Sequence, residues 1–174
     1  IAYPVPDAWQ KDTTQINRFQ TEASAADGKF WVRDSNGNKV YRFDPKAERW
    51  EDVGSHRVPD TNELVRHYGV IADQKNDLWL LDYGAAGIGK VDSKTGKLVT
   101  YKRTLSQPYT RPRRGMVDNN GLVWFGEWSG NAIGMYDPAK DEMHEWKLPT
   151  PWSDPYDVTS DKNGEAWAGA GFTD

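Results

Sequence analysis

Cysteine is absent from this sequence. A disulfide framework and a thiolate metal site are therefore excluded, and the fold must rest on packing and hydrogen bonds. Long apolar runs are also missing. None approaches the roughly 18 residues that a membrane-spanning helix needs, so no such span is expected. Histidine is scarce, at three residues, and the formal net charge is only -4, from Lys+Arg 22 and Asp+Glu 26 interspersed along the chain. No basic face suited to nucleic acid stands out, and no nucleic-acid partner is expected. Sustained 3.6-residue periodicity is lacking, and Gly 16 and Pro 10 break the chain too often for a helical fold. No nucleophile elbow, phosphate loop, zinc spacing or N-glycosylation sequon occurs.

Aromatic residues are abundant, with Trp 9, Tyr 8 and Phe 5. They favour strands and bury large areas. Their positions repeat. Trp31, Trp79, Trp124 and Trp167 follow one another at gaps of 48, 45 and 43 residues. Each comes three residues after a turn residue: Gly28, Asn76, Gly121 and Gly164. The turns read "ADGKFW", "QKNDLW", "DNNGLVW" and "DKNGEAW"; their Asn and Gly residues accept positive φ and mark tight hairpins. A second anchor, Asp44, Asp92 and Asp137, keeps the spacing of 48 and 45. A third is the aromatic strand "ERWEDV", "LVTYKR" and "HEWKLP".

About four short strands per repeat of roughly 40 to 50 residues is the signature of a β-propeller blade. The expected fold is all-β: about four four-stranded blades, part of a larger propeller. The expected division is an outer strand of a preceding blade and linker at 1–22, blades at 23–65, 66–110 and 111–153, and the first half of a blade at 154–174. Unclosed sheets leave long edges that proteins avoid, so the remaining blades are expected from the rest of a longer chain or from another chain.

The third repeat, "GMVDNNGLVWFGEWSGNAIGMYDPAKDEMHEWKLPTP", resembles the virginiamycin B lyase (streptogramin lyase) family of seven-bladed propellers. "GVIADQKNDLWLLD" and "PYDVTSDKNGEAWAG" match it in part. The resemblance implies elimination at an ester, with Mg²⁺ polarising the carbonyl and a histidine removing a proton. On this pattern Glu127 occupies the acid position of the "WF.E" motif, and His67 falls within a residue or so of a histidine position. Arg113 stands where repeat three would need histidine, and Ala170 where repeat four would need the acid.

In a propeller the inner strand begins beside the end of the second strand. That places Arg113 near Glu127, His67 and Tyr68 near Asp82, and Tyr156 and Asp157 near the end of "EAWAG", with Asp34 in the matching place of repeat one. One reading makes this a substrate site. His67 and Glu127 are then catalytic candidates, and Asp34, Tyr68, Asp82, Arg113, Arg114, Trp128, Tyr156 and Asp157 ligand-binding candidates. The other reading makes Glu127 the partner of Arg113 or Arg114 at a strand end, and His67 a solvated loop residue. The expectation for Glu127 is a channel-mouth carboxylate neutralised by arginine, with no metal in this segment. Three functions stay open: a ligand-binding or recognition module for a small molecule or peptide, a Mg²⁺-dependent lyase acting on a cyclic ester antibiotic, or a metal-dependent lactonase. A periplasmic or extracellular location in a bacterium accompanies the first.

Overall fold

The structure is a computed structural model that describes residues 3–9, 19–34, 38–106 and 108–172. Fourteen strands are described. The first sheet holds β1 (Phe19–Ser24), β2 (Phe30–Asp34), β3 (Val40–Asp44) and β4 (Arg49–Gly54), in that order. The second holds β5 (His67–Ala72), β6 (Leu78–Asp82), β7 (Gly87–Val91) and β8 (Leu98–Arg103). The third holds β9 (Pro112–Val117), β10 (Val123–Glu127), β11 (Ala132–Asp137) and β12 (Glu142–Lys147). A two-stranded sheet follows, β13 (Pro155–Ser160) and β14 (Ala166–Ala170). Every pairing is antiparallel between neighbours in sequence. The innermost strands β1, β5, β9 and β13 lie side by side, as blades of a propeller do around its channel.

Local chemistry explains the repetition. In the first hairpin of three blades an aspartate turns its carboxylate back on the turn. Asp73 Oδ1 accepts Lys75 N–H at 2.9 Å and Asp77 N–H at 3.0 Å. Asp118 Oδ1 does the same for Asn120 and Leu122, and Asp161 Oδ1 for Asn163 and Glu165. Two residues before each Trp-bearing strand the chain then turns left-handed, at Gly28 (φ 83°), Asn76 (φ 66°), Gly121 (φ 82°) and Gly164 (φ 83°). The second anchor is the same device one hairpin later. Asp44, Asp92 and Asp137 each accept the N–H groups two and three residues on.

The second strands carry the core. All five residues of "LWLLD" in β6 and of "VWFGE" in β10 are buried, because a neighbouring blade covers each face. They show continuous apolar character rather than alternation. Trp31 packs with Val70, Leu78, Leu80 and Val91 of the second blade, and Trp79 with Val123, Phe125 and Tyr136 of the third. Trp167 occupies the same place in β14 but is 62% exposed, since no described sheet lies against that face. In this 174-residue chain Trp79→Ala is therefore expected to cost about 3–5 kcal/mol and Trp167→Ala under about 1 kcal/mol. Urea unfolding of the two variants measures this; equal costs would contradict the inter-blade role.

Residues 3–9, within the stretch expected to hold an outer strand of a preceding blade, contain no strand. They carry a 3₁₀ turn, Asp7–Trp9, and lie on the first blade. Trp9 meets Tyr41 at 4.6 Å, Tyr3 meets Phe43 at 4.7 Å, and Trp50 Nε1 donates to the Pro4 carbonyl at 3.0 Å. The first blade opens at Phe19, ahead of the expected 23, because β1 takes part of the presumed linker.

Candidate ligand site at the channel end

The inner-strand starts do meet the second-strand ends. The Cα partners are Phe19 with Asp34, His67 with Asp82, Pro112 with Glu127, and Pro155 with Ala170. Arg113 is thus equivalent to Tyr68, one residue beyond the position His67 holds. Three of these inner strands, β5, β9 and β13, then carry an extra residue. Between His67 and Gly69 it is Tyr68, and between Pro155 and Asp157 it is Tyr156. Between Pro112 and Gly115 it falls at Arg113–Arg114. A bulge bends its strand and re-aims the side chain.

These bulges gather one cluster. The Arg113 guanidinium carbon lies 4.3 Å from the Tyr68 ring centre, 3.8 Å from Trp128 and 4.4 Å from Tyr156. Tyr83 closes the ring at 5.8 Å. The Tyr68 and Tyr156 hydroxyls are hydrogen-bonded, and Trp128 stands edge-on to Tyr156 at 5.4 Å. Arg33 and Arg114 approach the Tyr68 ring at 5.2 and 5.9 Å. Asp157, at the rim, is exposed and accepts its neighbour Val158 N–H at 2.9 Å.

The acids at these strand ends point elsewhere. Asp82 is fully buried. Its Oδ1 accepts the N–H groups of Arg66, Gly84 and Ala85, and its Oδ2 accepts the Tyr101 hydroxyl at 2.8 Å. Asp34 Oδ1 accepts Asn38 N–H at 2.9 Å and Lys39 N–H at 3.2 Å. The Asp82 carboxylate organises the turn that follows its strand, and the Asp34 carboxylate holds the two amides just before β3.

Glu127, expected at the channel mouth beside an arginine, is also fully buried, and it forms no ion pair with Arg113 or Arg114 among the described residues. Neither carboxyl oxygen has a hydrogen-bond partner of ordinary geometry. The side chain runs outward across β11, where a Cβ on Gly134 would lie 2.8 Å from Oε1 and one on Gly130 would lie 2.9 Å from Oε2. It heads for Glu145 on β12, whose carboxylate already accepts Leu105 N–H, the Ser106 hydroxyl and Ser106 N–H (3.2 Å). Burial first, then the Glu145 charge, push the Glu127 carboxyl up to about 9, with Lys147 opposing. Pairing shows why. Tyr101 opposes Gly89 in the second blade, and Glu145 opposes Gly134 in the third. A hydroxyl donor in one blade is a carboxylate in the next.

His67 is 2% exposed, not solvated, and neither ring nitrogen has a hydrogen-bond partner of ordinary geometry, although the Lys39 backbone is near enough to oppose the loss of charge. Burial, with Arg33 and His56 adding, pushes its imidazole down to about 3. The ring is therefore a neutral core group.

Mg²⁺ needs several oxygen ligands at about 2.0–2.1 Å. Among the described residues no cluster of three or more His, Asp or Glu side chains could hold a metal ion. Glu127 and His67 do not converge on one, so this segment does not fit the ion that the family resemblance implies.

The profile of the virginiamycin B lyase family matches residues 16–173. This chain belongs to the virginiamycin B lyase family. A streptogramin B lyase structure shares 27% identity at TM-score 0.72, covering 86% of this chain and 47% of that one. A catalytically inactive virginiamycin B lyase from Staphylococcus aureus with quinupristin shares 22% identity at TM-score 0.72, over 87% and 48%. A gluconolactonase from Xanthomonas campestris shares only 13% identity at TM-score 0.58, over 90% and 71%, a likeness of fold alone. The chain spans about half the length of the lyases it matches, as expected of a partial propeller. No curated protein matches it in sequence.

Sequence reasoning had not singled out Tyr83, Arg33, Tyr101 or Glu145. Tyr83 was findable, since it follows Asp82 as Trp128 follows Glu127. The outward reach to β8 and β12 had no marker.

Proposed function

We propose that this segment forms part of the ligand-contacting wall of a virginiamycin B lyase-family propeller, recognising a small molecule or peptide at the channel end without supplying the reacting groups. Arg113 carries the reading. Its guanidinium sits among three half-buried aromatic rings, two at inner-strand starts and Trp128 just past the end of β10, with no ion pair or hydrogen bond among the described residues. Such rings offer large rigid contact area, and the arginine supplies polarity. A general base must come within about 3 Å of the proton it removes. His67 is enclosed, and Glu127 faces an outer strand.

A second reading, lyase activity, is favoured by family membership and by likeness to the streptogramin B lyase structure. Its metal and base would then come from blades outside this chain. Quinupristin, present with the Staphylococcus aureus enzyme, separates the two readings in the protein as its gene encodes it. Tryptophan fluorescence follows binding and chromatography follows conversion. Trp128→Ala is expected to weaken binding about tenfold, in line with loss of an aromatic anchor. The first reading fails if His67→Asn or Glu127→Gln abolishes a conversion that Trp128→Ala leaves intact.

A further inference from the structure

We propose that the ligand presents a carboxylate to this wall and that Arg113 is the residue that takes it. The inference rests on the ligand-binding reading and names the chemistry of its ligand. Arg113 is held by ring faces at 3.8 to 4.4 Å. A guanidinium has two flat faces, so at most two of these three rings can stack on it, and stacking on a face leaves N–H edges to hydrogen-bond. Those edges find no acceptor among the described residues, and Nε is buried without one. A guanidinium has five donors in a rigid fork, and a planar carboxylate satisfies two of them together.

The surrounding charge favours an anion as well. Arg33 and Arg114 flank the Tyr68 ring, and Arg111 lies 5.0 Å from the Tyr83 ring. The acids of the same strand ends are committed: Asp82 to Tyr101 and three N–H groups, Asp34 to Asn38 and Lys39. Asp157 is the acid that acts on Arg114. A cationic ligand would have to displace Arg113 from its rings and meet the other arginines. The Tyr68 and Tyr156 hydroxyls are hydrogen-bonded to each other, and both rings approach the same guanidinium.

Nitrogen-15 spectra of the full-length protein test this, reading the Arg113 Nε–H signal, assigned by its loss in Arg113→Lys, and the Trp128 indole N–H. Sodium benzoate, tetramethylammonium chloride and neutral benzamide are titrated separately. Benzoate is expected to move both signals saturably, and Arg113→Gln to weaken it about tenfold or more. Arg113→Lys, which keeps the charge but loses the fork, is expected to weaken it severalfold. If tetramethylammonium or benzamide moves the Trp128 signal and benzoate does not, the carboxylate proposal is overturned while the ligand-binding reading stands. If none of the three moves it, both fall. Should Arg113→Gln fail to fold, the unaltered protein decides. Raising NaCl from about 20 to about 300 mM must weaken benzoate severalfold, and an unchanged affinity overturns the proposal.

Discussion

Glu127→Gln is expected to stabilise the chain, and increasingly so as pH rises from about 5 to about 9. The Glu127 carboxyl is raised from its ordinary 4.5 to about 9, mainly by burial. Below 4.5 both folded and unfolded chains hold the proton, and the group costs nothing extra. Above 4.5 the unfolded chain releases it and the folded chain does not. Stability therefore falls by up to about 1.4 kcal/mol per pH unit until the folded group ionises. At pH 7 the penalty is on the order of 3 kcal/mol. Glutamine keeps the shape, carries no charge, and donates an amide N–H toward the Glu145 carboxylate. For a chain of this size a gain of that order raises Tm by about 6–12 °C. Thermal unfolding at about pH 5, 7 and 8.5 checks it. A difference that does not grow with pH, or a loss at pH 7, would refute the account. His67 acts with the opposite sign. Its imidazole, lowered to about 3, makes stability fall as pH drops below 6.5, and Glu127→Gln should leave that acid limb unchanged.

Asp82→Ala is expected to do the reverse, although Asp82 holds the same place in the second blade as Glu127 in the third. The Asp82 carboxylate accepts three backbone N–H groups, and its second oxygen takes the Tyr101 hydroxyl. Alanine strands all four donors in or beside a fully buried site. At about 1–3 kcal/mol for each buried unsatisfied group, partly relieved by water, the loss is roughly 3–6 kcal/mol. Tyr101→Phe removes one donor without stranding the three amides and should cost only about 1 kcal/mol. Urea denaturation of both variants tests this. An Asp82→Ala cost within about 1 kcal/mol would show that the loop holds its shape without the carboxylate. One strand-end position thus carries an acid that the fold needs and an acid that it tolerates, and the difference is what stands across the next strand.

Much of the fold was legible because blade chemistry is local. Asp73, Asp118 and Asp161 fold back on amides within four residues, and the left-handed residue before each tryptophan strand must be one that accepts positive φ. Such constraints leave their mark at fixed spacing whatever the rest of the chain does. Trp31 and Trp79 share a position because the second strands of the first two blades fill the same wedge against the blade that follows. Repetition also brought the inner-strand starts of separate blades to one channel end.

Tertiary structure alone decided where the side chains there point. A strand's faces alternate with period two, so one extra residue turns its neighbour to the other side. The bulges at Tyr68, Arg113–Arg114 and Tyr156 carry no composition of their own, yet they assemble the aromatic cluster and separate Arg113 from Glu127. Gly134 lets Glu127 pass outward to β12, and burial against the first blade makes His67 neutral. Proximity along strands was readable from spacing. The direction of a side chain, and the charge it can hold there, depended on a bulge, a missing Cβ and the residue two strands away.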